Sequence, residues 1–202
     1  MNGPVWTGRS HRLQELRTEI RSLIEERGRL QTQIEADVEQ QNSDKNSLFS
    51  TIRLFFSEIV EEVIDRKALL SVSPNKEGHL EFRAEILDES GNTTSADLGH
   101  TYRKLLCIAF DMALLRAHLD ERFPRFVYHD GVFESLDDRK KENLLAAIRR
   151  YDGLGIQTTI TLIDSDLPAR NGQIGSVFEV GEIILTLHDE DDQGRLFKMK
   201  VW

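Results

Sequence analysis

The sequence predicts an α/β chain led by a long polar helix, and three observations predict it. A charged N-terminal stretch carries apolar residues at alternating steps of three and four. Two short strand-like runs, "RFVYH" and "IQTTITLID", stand on either side of a helix-like segment that ends in glycines. A strongly apolar helical run, "TYRKLLCIAFDMALLRAHLD", precedes the first of them. Helix, strand, helix, strand in this order predicts adjacent parallel strands joined by a crossover. The 202 residues suffice for one core of ordinary size plus an appendage.

Taken in order, residues 10–44 read "SHRLQELRTEIRSLIEERGRLQTQIEADVEQQNSD". Leu13, Leu16, Ile20, Leu23, Leu30 and Ile34 form a short heptad seam, with Arg27 in one seam position and Ser10 placed to cap the start. So polar a helix is weakly stable alone, so the seam calls for a partner; an amphipathic helix packed on its own domain is the simpler alternative. A second helix, about 46–66, repeats Leu48, Ile52, Phe55, Phe56, Ile59 and Val63 with bulkier side chains and opens the globular part. A boundary near residue 45 therefore divides an N-terminal coiled-coil helix, 1–45, from an α/β lobe, 46–202. "LLSVSP" and "HLEFRAEILD" read as strands around the turn "NKEG", and the loop "ESGNTTSADLGH" follows. The tail "GEIILTLHDEDDQGRLFKMKVW" reads as two strands around an acidic turn.

Composition narrows the function classes. A formal net charge of −9 argues against a surface that grips nucleic acid throughout, while leaving room for a local basic patch. The single cysteine, Cys107, excludes a disulfide framework within the chain, and its place in an apolar helical pattern predicts core packing. There is no apolar signal core at "MNGPVWTGRS" and no run long enough to span a bilayer, so the expected setting is cytoplasmic, without membrane contact.

The chemistry-bearing stretch is "FPRFVYHDGVFESLDDR", residues 123–139. A short apolar strand ends at Asp130, and Ser135-Leu136-Asp137 enters a helix. Upstream, Leu98-Gly99-His100 opens the apolar helix. In this order the three features resemble the C-terminal lobe of an ABC-type ATPase head. The closest likeness is to the coiled-coil branch: SMC proteins, double-strand-break-repair ATPases and bacterial phage-defence ATPases. The resemblance implies the C-terminal lobe of a P-loop ABC-type head, with parallel strands and helices, preceded by a coiled-coil helix. It implies that Asp130 takes the Walker B place and holds Mg²⁺ through water beside the phosphates. Leu98, Gly99 and His100 then lie in the signature loop, where a glycine lets backbone N–H groups approach a phosphate at a helix start. Ser135 and Asp137 fall in the D-loop; either also serves as a plain N-cap.

This sequence departs from that pattern. Gly131 stands where the family carries its catalytic glutamate, which leaves Glu134, or His129 before the aspartate, as stand-ins. Ile163 and Asp164 stand where a switch histidine is expected, and Asp97 occupies the place of the usual serine, with Ser95 two residues earlier. No Gly-x-x-x-x-Gly-Lys-[Ser/Thr] occurs anywhere, so the chain has no cradle of its own for the β- and γ-phosphates. ATP and Mg²⁺ are thus expected only with a complementary lobe. The implied partners are a P-loop-bearing N-terminal lobe or second head, and a helix for the heptad seam, which makes a dimer; DNA enters through the family likeness alone. Two other readings stay open. One is a non-catalytic coiled-coil interaction module. The other is a metal-dependent phosphoesterase or nuclease built on Asp130, Asp137, Asp164 and Asp166.

Overall fold

A computed structural model describes residues 5–94, 99–168, 177–179, 181–196 and 198. The elements in chain order are α1 (Val5–Ser43), α2 (Leu48–Ile64), β1 (Ala68–Pro74), β2 (Leu80–Ile86), α3 (His100–Ala117), β3 (Phe126–Asp130), α4 (Asp138–Asp152) and β4 (Gln157–Thr161). Helices and small sheets alternate as the α/β reading expects. The chain forms two compact units, one of residues up to 61 with 65–124, the other of 62–64 with 125 onward.

In the first unit, α1 runs unbroken from Val5, so Ser10 lies inside the helix and does not cap it. Its seam faces solvent: Leu13, Ile20 and Leu23 are each more than half exposed. Two hydrogen bonds tie down the second half of α1. The Arg27 guanidinium donates to the Lys76 carbonyl (2.9 Å), and the Asn42 amide donates to the Val72 carbonyl (3.4 Å). A short turn leads to Ser47, whose hydroxyl accepts the Ser50 N–H (3.1 Å) and starts α2. The apolar stripe of α2 then goes inward, with Ile52, Phe56, Ile59 and Val60 buried. Each contributes about 1.5–3 kcal/mol of burial.

β1 and β2 form an antiparallel hairpin in the register Ala68↔Ile86 to Pro74↔Leu80. Its turn needs Gly78, at φ +84°, and Asn75, whose side-chain oxygen accepts the Glu77 and His79 N–H groups. Helix α3 buries Leu105, Leu106, Ala109 and Met112, but Cys107 is exposed. Cys107 therefore does not pack in the core that its apolar surroundings in sequence predict. α3 is apolar around most of its circumference, so its pattern does not say which side faces out.

In the second unit, β3 and β4 pair in parallel from Phe126↔Gln157 to Asp130↔Thr161, joined by α4 as the crossover. α4 buries Leu144, Leu145, Ala147, Ile148 and Tyr151, and its Asn143 amide donates to the Val63 carbonyl (3.2 Å). The chain leaves α4 through Gly155, at φ +81°, where a side chain would be strained, and re-enters the core at Ile156. The short apolar run of β3 predicts a buried strand, but the strand is largely exposed. Phe126 and Tyr128 are 54% and 53% exposed. A parallel pair normally lies covered on both faces within a wider sheet; among the described residues no further strand joins these two.

The tail also differs from expectation. Described residues 181–196 contain no strand. Ile183, Ile184, Leu185 and Leu187 are exposed, although the stretch closes like a hairpin, with the His188 N–H donating to the Gly194 carbonyl (2.9 Å). A run apolar on both faces forms a strand only when a sheet receives it on an edge and other groups cover its faces. Among the described residues no helix is long and apolar enough to cross a membrane.

Candidate functional site

The chemistry-bearing residues of the second unit gather where the β3–β4 ladder ends. Strand alternation puts Tyr128 and Asp130 on one face of β3 and His129 on the other. The register sets Thr161 directly opposite Asp130. The Thr161 hydroxyl donates to Asp130 Oδ1, and the Tyr128 hydroxyl lies 3.5 Å from the same Thr161 oxygen. One step further, the Gly131 N–H donates to the Thr161 carbonyl (3.0 Å) and closes the ladder. Gly131 sits at φ +58°, so a side chain at this place would be strained. That is one local reason why a glycine, and not a glutamate, follows Asp130.

The turn beyond is pinned by its apolar residues. Val132, Phe133 and Leu136 are buried, while Glu134 and Ser135 stay exposed. The Glu134 N–H donates to the Gly131 carbonyl (3.2 Å) and the Leu136 N–H to the Phe133 carbonyl (3.1 Å). Ser135 takes a left-handed backbone, φ +60°, which costs a residue with a side chain about 1 kcal/mol. The burial of Phe133 and Leu136 on either side holds it there.

Asp137 is the N-cap of α4. Its carboxylate accepts the Lys140 N–H (3.0 Å) and pairs with the Lys140 ammonium (2.5 Å). The Lys140 side chain, with its backbone N–H next, holds the Asp137 carboxyl below the usual range for aspartate. Of the two candidate caps, Asp137 and not Ser135 fills the role.

In the first unit, Gly99 is the residue before α3, with its carbonyl accepting the Arg103 N–H (3.1 Å), and His100 is the first residue of the helix. Leu98, Ser95 and Asp97 lie outside the described residues. Among the described residues no group of three or more His, Cys, Asp and Glu side chains could hold a metal. The four-aspartate site of the nuclease reading is therefore not assembled among them. What the strand end offers is one exposed carboxylate, Asp130, with the Thr161 hydroxyl bound to one of its oxygens. A single carboxylate fits Mg²⁺ that keeps most of its waters. Sequence reasoning missed Thr161 and Tyr128, because only the strand register shows what faces Asp130.

These features define an α/β lobe with an acidic strand end and a long helical arm. Residues 59–201, well over half of the chain, match the family described as "Uncharacterised protein conserved in bacteria (DUF2326)", and the chain belongs to that family. No curated protein matches it. Among solved structures, it is similar to one from work on ATP-driven dimerization and DNA-stimulated activation of SMC ATPases. That likeness has 21% identity and a TM-score of 0.43, over 58% of this chain and 70% of the other. An SMC head bound to the C-terminal winged-helix domain of ScpA is 22% identical, TM-score 0.43, over 61% of this chain and 40% of the other. An SMC head with an extended coiled coil, bound to the C-terminal domain of ScpA from Pyrococcus furiosus, is 22% identical, TM-score 0.45, over 77% and 37%. The chain thus spans well under half the length of the last two.

Proposed function

We propose that this chain is the C-terminal half of an SMC-like ATPase head, and that it takes part in ATP binding and hydrolysis only with a P-loop-bearing N-terminal lobe. The observation that carries the reading is a parallel strand pair that ends in the Asp130 carboxylate and has, among the described residues, no further strand beside it, with Phe126 and Tyr128 more than half exposed. A parallel sheet of two strands calls for more strands from elsewhere. The sequence also lacks a phosphate-cradling loop, so both needs point to a second lobe.

In this reading Asp130 holds Mg²⁺ through water, and the ion would neutralise charge on the phosphates. Glu134, exposed in the turn after Asp130, is the candidate to orient water; His129 stands in reserve on the opposite strand face. Ser135 and Asp137 form the D-loop, and Leu98, Gly99 and His100 form the signature loop at the start of α3. The division into a coiled-coil helix, 1–45, and a lobe, 46–202, belongs to the same reading. So do a partner helix for α1, a cytoplasmic setting, and a DNA-related role such as phage defence.

The test is ATP hydrolysis by the chain mixed with the P-loop-bearing segment of its source protein. The expected result is turnover in the mixture that Asp130→Ala abolishes. Equal turnover with Asp130→Ala would remove the assignment. One observation favours a second reading, a non-catalytic interaction module: the solvent-facing seam of α1. That reading predicts an inert mixture and a chain that still binds a partner helix.

A further inference from the structure

We infer that Thr161 is the positioning residue of Asp130: its hydroxyl fixes the carboxylate in one rotamer so that Oδ2 is the oxygen offered to a hydrated divalent cation. The inference rests on the reading that Asp130 serves Mg²⁺-nucleotide, and adds a residue that neither the motif pattern nor the family description assigns.

The argument begins with freedom. Asp130 is exposed and ends its strand, so its short side chain has three staggered wells open to it. A carboxylate that must hold an ion at one place works better when it does not have to be ordered on each encounter. Three features of the fold remove that freedom. The parallel register sets Thr161 opposite Asp130. The Gly131 N–H bond to the Thr161 carbonyl (3.0 Å) locks the backbone just beyond the pair, so the two cannot slip. Threonine is β-branched and stiff about χ1 in a strand, so its hydroxyl has a defined direction. That hydroxyl donates to Asp130 Oδ1. The acceptor capacity left on the outer oxygen, Oδ2, then points to one side only. The pair works as the outer partner of a metal-holding carboxylate commonly does, by orienting the first oxygen and leaving the second to the ion.

The choice of residue fits. Valine would fill the same strand position and favour the same backbone, but would leave the carboxylate without its donor. Serine would keep the donor and lose the branch.

The experiment has two arms. In the full 202-residue chain alone, three-bond couplings from Asp130 Cγ to its backbone nitrogen and carbonyl carbon report χ1. The wild type is expected to show one rotamer, Thr161→Ser partial averaging because the branch is lost, and Thr161→Val an average of several, with the amide spectrum otherwise unchanged. An Asp130 that is averaged in the wild type, or indifferent to Thr161→Val, overturns the inference. In the mixture with the P-loop-bearing segment, Thr161→Val is expected to raise the Mg²⁺ concentration for half-maximal hydrolysis by about tenfold, with Thr161→Ser between it and wild type. An unchanged Mg²⁺ requirement also overturns it. A wild-type mixture inert toward ATP sinks the half-head reading instead, and the rotamer arm still decides what Thr161 does to Asp130.

Discussion

Arg149 grips Glu182 with both arms of its guanidinium: Nε reaches Oε1 and Nη2 reaches Oε2, each at 2.6 Å. The same Nη2 also donates to the Val177 carbonyl (2.8 Å). One residue near the end of α4 therefore anchors the described part of the tail. Arg149→Ala is expected to destabilise the chain by about 1 kcal/mol, the upper range for a pair that solvent still reaches. It should also speed protease cleavage near Val177 and Glu182, the two residues the guanidinium holds. Urea denaturation and limited proteolysis check this, and an unchanged digestion pattern would mean the clamp does not hold the tail.

The same pair sets a dependence on acid. The Arg149 guanidinium holds the Glu182 carboxyl below the usual range, and Lys140 does the same for Asp137. A carboxyl whose folded value is depressed contributes stability above its unfolded value, about 4, and loses it as pH falls through the folded value. Stability should therefore be flat from neutral pH down to about 5 and fall below about 4. In Asp137→Asn combined with Arg149→Ala the acid limb should be shallower, read by urea midpoints across the pH series.

Capping can be separated from charge at the same residue. Asp137→Ala removes the acceptor for the Lys140 N–H and should lower the thermal unfolding midpoint. Asp137→Asn keeps an acceptor and should lower it by less than half as much. Thermal denaturation ranks the two, and equal losses would mean that the Lys140 ion pair, not the cap, carries the contribution.

The turn after Asp130 depends on a buried ring. Phe133 is fully buried, and Phe133→Ala should cost about 3–5 kcal/mol. Glu134→Gln, one residue on and exposed, should cost far less than Phe133→Ala. Comparing the pair by denaturation tests whether the buried ring, more than the exposed carboxylate beside it, holds the turn.

The α1 seam behaves in the opposite way. Leu16 and Leu23 contribute little to this chain's own core, being 38% and 59% exposed. Leu23→Asp should leave the unfolding midpoint within about 0.5 kcal/mol of wild type while weakening association with a partner helix or a second copy. Sedimentation reads the association. A large loss of stability in the monomer would show that the seam packs on its own chain.

Much of this was legible in the sequence because it depends on short-range pattern. The stripe Ile52, Phe56, Ile59 goes inward at the helical period that marks it, and the helix-strand-helix-strand order is the crossover it suggests. Asp137 caps α4 by local chemistry that any sequence shows. What stayed hidden depends on groups distant in sequence. Cys107 sits in a helix whose apolar pattern names no outer side, so its exposure could not be read. Thr161 meets Asp130 through a register that no spacing rule fixes across 31 residues. Residues 183–187 carry a strand's composition, yet among the described residues no sheet receives them.

The most direct test of the half-head account is Mg²⁺-ATP binding, measured by titration calorimetry on the chain alone and on the chain with the P-loop-bearing segment of its source protein. The account predicts no heat from the chain alone, and a stoichiometric binding isotherm from the mixture that Asp130→Ala weakens in Mg²⁺ but not in its absence. ATP binding by the chain alone would contradict it, and so would a mixture whose Mg²⁺-ATP affinity ignores Asp130.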